Sequence, residues 1–124
     1  MSDRTRRGQR ADALGRTAEA AVEAVLIRDG WSVLGRRLRT VAGEVDLVAE
    51  KDGLLAVVEV KARPSLRGAA EALSARQQAR LVAAADILLA EHPEWGANGV
   101  RFDLLLVDQA GVVRRIADAF RGDG

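Results

Sequence analysis

The sequence has no cysteine, no tyrosine, only two prolines and a single histidine, His92. Without cysteine there can be no disulfide, thiolate nucleophile or sulfur-ligated zinc. One histidine argues against imidazole metal clusters and against histidine-based triads. Aromatic residues make up 3% of the chain, too few for a single-strand binder that relies on stacked bases. No apolar run approaches the ~18 residues of a membrane span, and residues 1–10 lack the apolar stretch of a secretory signal. The expectation is a cytoplasmic protein with no membrane partner. Charge of one sign is missing as well: 19 Lys and Arg face 18 Asp and Glu, for a net +1. Such a balance fits neither a polybasic tail nor an acidic solvating chain.

What is present suits one folded unit. The 124 residues allow a single domain, and 48% apolar residues supply a core. The expected organisation is a flexible basic tail over residues 1–10 and one domain over 11–120. Any catalysis must use carboxylates, Lys or Arg, hydroxyls, or a metal held by oxygen. The basic residues are locally concentrated. Residues 1–16 hold Arg4, Arg6, Arg7, Arg10 and Arg16 against two aspartates, and residues 28–39 hold Arg28, Arg36, Arg37 and Arg39 against Asp29. Both clusters could attract phosphate. The first reads more simply as a solubilising tail; for Arg36, Arg37 and Arg39 a phosphate strip and a solvated strand edge are equal readings.

Apolar positions Leu14, Ala18, Ala21, Val22, Val25 and Leu26 recur at helical spacing from Asp12 to Arg28, and Gly30 is a natural stop. Strands are expected over Trp31–Arg39, Glu44–Glu50 and Leu54–Ala62. The last two are joined through Asp52-Gly53, a strong hairpin signal. Pro64 to Gly68 forms a loop. Ser74-Ala75-Arg76-Gln77 then fits a capping box opening a second helix, with Leu81, Ala84, Ala85 and Leu88 on its buried face and His92-Pro93 at its end. Val100–Val107 and Val112–Ala117 read as two closing strands. The fold class is α/β with a mixed sheet, in the order α-β-β-β-α-β-β. Trp31 and Trp95 are expected to pack, and Arg101 with Asp103 to form a salt-bridged support of the core.

The chemistry concentrates in Gly43-Glu44-Val45-Asp46 and Val58-Glu59-Val60-Lys61. A two-residue turn at Asp52-Gly53 pairs Lys51 with Leu54 and therefore sets Asp46 opposite Glu59, side chains on one face. Lys61, two residues on, projects from that face too. Two carboxylates at ~5 Å repel by about 3 kcal/mol at an effective dielectric near 20. A cation, a shared proton or Lys61 must compensate. A hard divalent ion, Mg²⁺ or Mn²⁺, is commonly held by one or two carboxylates plus water and substrate phosphate. Lysine is rare here: the chain has 17 Arg and only Lys51 and Lys61. A compact ammonium can lose a proton where guanidinium cannot. Glu19 lies on the shoulder of the first helix's apolar stripe. It either leans over the sheet or pairs at the surface with Arg16 or Arg28. The plain alternative for Asp46, Glu59 and Lys61 is a cross-strand ionic ladder on a solvated face.

These residues resemble the PD-(D/E)XK, or restriction-endonuclease-like, nuclease superfamily, and within it the YraN-like family. The likeness rests on Glu19, Gly43-Glu44-Val45-Asp46-Leu47, Val58-Glu59-Val60-Lys61-Ala62-Arg63, the Ser74 helix with Gln78 and Arg80-Leu81, and Arg101-Phe102-Asp103. It implies a restriction-endonuclease-like sheet, with Asp46, Glu59 and the Val60 carbonyl as metal ligands. It further implies Lys61 as the catalytic lysine and Glu19 as an accessory acid near the metal. Gln78 and Arg80 would face the site or the nucleic acid, and Arg63 could touch phosphate. Val45 replaces the superfamily's namesake proline. Gln77 stands where YraN-like proteins often carry lysine, which weakens a phosphate contact from that helix. Similarity to archaeal Holliday-junction resolvases suggests branched DNA as one substrate, and a homodimer, by analogy. The expected function is metal-dependent endonuclease action on DNA, branched or damaged. The alternatives are a nucleic-acid-binding module on the same fold with little or no cleavage, and a protein-interaction scaffold.

Overall fold

A computed structural model describes residues 17–63 and 73–120. The expected tail over 1–10, the start of the first helix at 12–16 and the loop from Pro64 to Gly68 lie outside the described residues. Helix α1 occupies 17–28. It closes in a Schellman arrangement: Gly30 N–H donates to Ile27 C=O at 3.0 Å and Trp31 N–H to Leu26 C=O at 2.9 Å. Strands β1 (Ser32–Thr40), β2 (Gly43–Lys51) and β3 (Leu54–Ala62) follow, then α2 (Ala75–Glu91), β4 (Gly99–Val107) and β5 (Val113–Phe120). The sheet runs β1-β2-β3-β4-β5. Three of its pairings are antiparallel, and β3–β4, bridged by α2, is parallel. This is the mixed α/β order the sequence implies.

The local reasons are those read in the sequence. Asp52 (φ 53°) and Gly53 (φ 79°) both take left-handed backbone, the requirement of a type I′ hairpin turn. That turn fixes Lys51↔Leu54 and, four steps on, Leu47↔Val58. Ser74 caps α2 as expected: its Oγ accepts from Gln77 N–H and Gln77 Oε1 accepts from Ser74 N–H. Leu81, Ala84, Ala85 and Leu88 are the helix's buried residues, and His92 is its C-cap.

Each sheet face carries its own core. Under α2, Leu81, Ala84, Ala85 and Leu88 pack on Val45, Val48, Leu55, Val57, Phe102, Leu104 and Leu106. Under α1, Ala18, Val22 and Leu26 pack on Trp31, Leu47, Ala49, Ala56, Val58, Leu105 and Val107. Both tryptophans pack: Trp31 is buried beneath α1, and Trp95 lies against the α2 core, stacked on His92 at 3.8 Å. Most strand ends shift by one residue from those expected, and the end of the last strand shifts by more. The last strand continues to Phe120, past the expected end at Ala117, because Phe120 pairs with and stacks on Phe102 at 4.8 Å. The register shifts between Phe102 and Leu104, and Asp118 (φ 53°) breaks the alternation that would have signalled the extension. Among the described residues no helix is long and apolar enough to cross a membrane.

Candidate metal and nucleic-acid site

The site forms where β2 leaves β3. The β2–β3 pairing is regular as far as Leu47↔Val58. At the next level the Asp46 carboxylate takes over a ladder position: Oδ2 accepts the Val60 N–H at 2.8 Å. The β1–β2 register runs unchanged from Arg36↔Leu47 to Leu38↔Val45, which sets Arg37 opposite Asp46, and Arg37 has φ 48°. Both strands turn over here. Val45 packs in the core under α2 and Leu47, two residues away, in the core under α1. Regular alternation would place them on one face. Asp46 thus sits at a twist in the sheet, half-buried, with its carboxylate turned to β3.

Four titratable groups act on one another here. The Asp46 carboxyl is pushed up to about 7, first by burial and next by the Glu59 carboxylate. Glu19 adds to the rise, while the Val60 N–H and the Lys61 ammonium oppose it. Lys61 Nζ lies 3.2 Å from Glu59 Oε1, and both side chains are largely covered. The direct Asp46↔Glu59 pairing expected from the turn is not formed: the regular register ends at Leu47↔Val58, and at the twist the Asp46 carboxylate meets the Val60 N–H instead. Glu19, expected either to lean over the sheet or to pair at the surface, acts electrostatically on Asp46 from α1.

Among the described residues Glu19 does not pair with Arg28, which contacts Asp29, but with Arg37, Nε to Oε2 at 2.9 Å; Arg16, the other expected partner, lies outside the described residues. One turn later Glu23 receives Arg36, whose Nε is 2.8 Å from Oε2. The Arg36 guanidinium holds the Glu23 carboxyl below its ordinary range. Arg39 lies 3.7 Å from Glu44 at the surface. All three arginines of the expected phosphate strip therefore meet a carboxylate. Of the other candidates, Gln78 donates from Nε2 to Leu73 C=O at 3.2 Å, and exposed Arg63 donates from Nη1 to Ala62 C=O at 2.9 Å. The Arg80 stem lies across Gly43: a Cβ there would fall 2.8 Å from Arg80 Cδ, and Gly43 has φ 139°. Only glycine suits that position.

Sequence reasoning identified the Arg101–Asp103 pair but missed Arg115. Asp103 is 1% exposed. Arg101 Nε reaches its Oδ1 at 3.0 Å, Arg115 Nε its Oδ2 at 2.9 Å, and Asp118 N–H donates to Oδ1 at 2.9 Å. Both guanidinium groups lie over the Trp31 ring, at 5.1 and 4.7 Å. The only clue to Arg115 is its alternation with Val113; its link to Asp103 depends on the β4–β5 pairing Leu105↔Arg115.

The donor set around Asp46 is all oxygen, which fits a hard divalent ion and not a soft one. Among the described residues, no three His, Cys, Asp or Glu form a ready cage. An ion held by Asp46 and Glu59 would thus keep open positions for water and phosphate, the usual manner of Mg²⁺.

Residues 18–107 match the family described as "Uncharacterised protein family UPF0102". The chain belongs to the UPF0102 (YraN) family. A UPF0102 protein of Granulibacter bethesdensis is 60% identical over 117 residues, covering 94% of this chain and 74% of that protein. Another from Azorhizobium caulinodans is 47% identical over 119 residues, covering 96% and 91%. One from Acidiphilium cryptum is 49% identical over 115 residues, covering 93% and 89%. The UPF0102 match contains Glu19, Asp46, Glu59, Lys61 and Asp103; Arg115 falls beyond it.

Proposed function

We propose that the protein is a metal-dependent endonuclease that hydrolyses phosphodiester bonds in DNA, with branched or damaged DNA as the substrate class. The observation that carries this reading is the excess of negative charge at a half-buried position: Asp46 beside Glu59 and Glu19, with its carboxyl raised to about 7. Strongly perturbed acids in such surroundings are candidates for function. In this reading Asp46, Glu59 and the Val60 carbonyl hold Mg²⁺ or Mn²⁺, with Glu19 as accessory acid. The bound ion would polarise the phosphodiester and lower the pKa of a water.

The chain's own residues have separate tasks. The Val60 N–H fixes Asp46 Oδ2 and so aims the carboxylate. Glu59 holds the Lys61 ammonium at 3.2 Å. In this reading the ammonium orients the attacking water or stabilises charge developing on the phosphorane oxygens. Arg80, exposed above Gly43 at the start of β2, and Arg63, exposed just beyond β3, are the arginines this reading assigns to the phosphate backbone.

The Glu59–Lys61 ion pair and the lack of a three-acid cage among the described residues favour a second reading, a DNA-binding module without cleavage. One assay decides. Supercoiled, linear and four-way-junction DNA are incubated with the protein and Mg²⁺, Mn²⁺ or EDTA. The nuclease reading expects metal-dependent cleavage that is lost in Asp46→Ala and Lys61→Ala. Binding to DNA without cleavage under every metal establishes the module instead.

A further inference from the structure

We propose that the N-terminal half of α2 is the face that meets the backbone of DNA, with Arg76 and Arg80 on neighbouring phosphates. The inference rests on the DNA part of the reading above and not on its metal ion; it names a docking face and brings Arg76 into it. The charges of α2 are segregated. Its first half holds Arg76 and Arg80 and no acid, and its second half holds Asp86 and Glu91 and no Lys or Arg. A helix favours the reverse, because its own dipole stabilises acids in the first turn and cations in the last. The start of α2 is otherwise well made for stability, with the Ser74–Gln77 capping box complete. Charges set against the element that carries them point to a task outside it.

Two further observations give that task a place. Arg28, Arg36, Arg37, Arg39, Arg101 and Arg115 each meet a carboxylate, whereas Arg76 and Arg80 meet none among the described residues. Both are exposed, one helical turn or ~6 Å apart on one face, and the Arg80 stem is seated over Gly43. The second observation is the course of α2 along β2. Arg80 lies at the start of that strand, and beyond the helix Gly96 N–H donates to Glu50, near the strand's end, at 3.0 Å. The cationic half of α2 therefore lies at the end of the sheet where β2 begins and antiparallel β3 finishes with Glu59 and Lys61. Asp46 and Glu59 at that end repel a phosphodiester, so the attraction must come from cations beside them. The guanidinium groups, not the helix terminus, supply it, since Ser74 Oγ already accepts the Gln77 N–H.

Fluorescence anisotropy of a labelled DNA duplex, in EDTA across a salt series, tests the assignment. The proteins compared are wild type, Arg76→Gln, Arg80→Met, the double variant and Arg28→Gln, with thermal melts in parallel. Arg80→Met keeps a stem over Gly43 and removes the charge. Each α2 substitution should weaken binding and reduce the slope of log K against log salt by about 1, and the double variant by about 2, one phosphate contact being lost with each arginine. Arg28→Gln removes an exposed cation at the other end of β2, where Asp29 C=O meets Lys51, and should leave the slope unchanged. Arg76→Gln should hold or raise the melting temperature, because a cation leaves the positive end of the helix dipole. Binding lost only together with a lowered melting temperature would make Arg76 a support of the fold and overturns the proposal. An equal loss of slope in Arg28→Gln overturns it too, since any surface cation would then serve. Wild type that binds DNA with the slope intact in the double variant defeats the α2 face alone. Wild type that binds no DNA, in EDTA or in Mg²⁺, defeats the DNA reading and the face with it.

Discussion

Two aspartates on neighbouring levels of the same sheet are treated in opposite ways. Val58 pairs with Asp103 on one side and with Leu47, the neighbour of Asp46, on the other. Asp103 is fully buried and fully answered: two guanidinium groups and the Asp118 N–H meet its oxygens, and Trp31 backs both arginines. Asp46 is only half-buried, yet among the described residues it receives one N–H and shares its surroundings with two further carboxylates and a single ammonium. A structural acid is neutralised by the protein itself. Asp46 is left short of positive charge by a chain with 17 arginines to spare, and an ion from solution is what would make up the difference.

The largest effect should come from spoiling the balanced site. Asp103→Asn leaves Arg101 and Arg115 facing a neutral amide in a buried network. Breaking one partner of a buried pair costs about 3 kcal/mol, which is a fall of roughly 10 °C in Tm for a chain of this size. Thermal melts measure it, and a fall of only a degree or two would mean that the arginines find other partners. In the nuclease reading, DNA cleavage by the folded fraction should persist.

At the unbalanced site the next effect is on Mn²⁺ binding. The Asp46 carboxyl holds its proton to about pH 7, and an ion must displace that proton. Below this pH Mn²⁺ affinity should fall about tenfold per unit, or about 1.4 kcal/mol. Calorimetry at pH 5.5, 6.5 and 7.5 checks this, and a flat profile would place the ion elsewhere.

Without metal, the sign of the stability effect reverses between the two aspartates. Unfolded, Asp46 titrates near 4; folded, near 7. Between those values the native state binds more protons than the unfolded one, so stability falls as pH rises from about 4 to about 7. Above pH 7 the folded chain carries the full cost of the charge. Asp46→Asn keeps an oxygen for the Val60 N–H and removes that charge. It should raise stability at pH 8 and change it little at pH 4, as read by urea melts at the two pH values. A destabilised Asp46→Asn at pH 8 would show that the carboxylate contributes more as an acceptor than it costs as a charge.

The balanced and unbalanced sites were not equally legible. One turn, Asp52-Gly53, fixes the register as far as Leu47↔Val58, so the sequence leads up to Asp46, while the twist that sets its carboxylate on the Val60 N–H rather than opposite Glu59 was not legible. The capping box and buried face of α2 were legible for the same reason: each signal spans a turn or two of one helix. Arg115 escaped because its partner lies twelve residues away across a hairpin whose register shifts at Asp103 itself. The Arg37–Glu19 pair escaped because it depends on a left-handed arginine inside a strand, a conformation to which no residue type in Arg36-Arg37-Leu38 points. Local chemistry was readable; long-range pairing through irregular backbone was not.

The smallest predicted effect separates the two causes acting on Asp46. Burial is the larger and the Glu59 carboxylate the next. Glu59→Gln removes the second and leaves the first, while also freeing the Lys61 ammonium from its 3.2 Å partner. Both consequences favour the Asp46 carboxylate, so its titration should move down from about 7 but stay above the ordinary aspartate range. A carbon-detected NMR titration of the side-chain carboxyl reads this directly. If Glu59→Gln returns Asp46 to an ordinary value, like-charge repulsion alone sets the site, and the sheet contributes only proximity. If the value does not move, the two acids are electrostatically independent, and a cation would have no reason to bridge them.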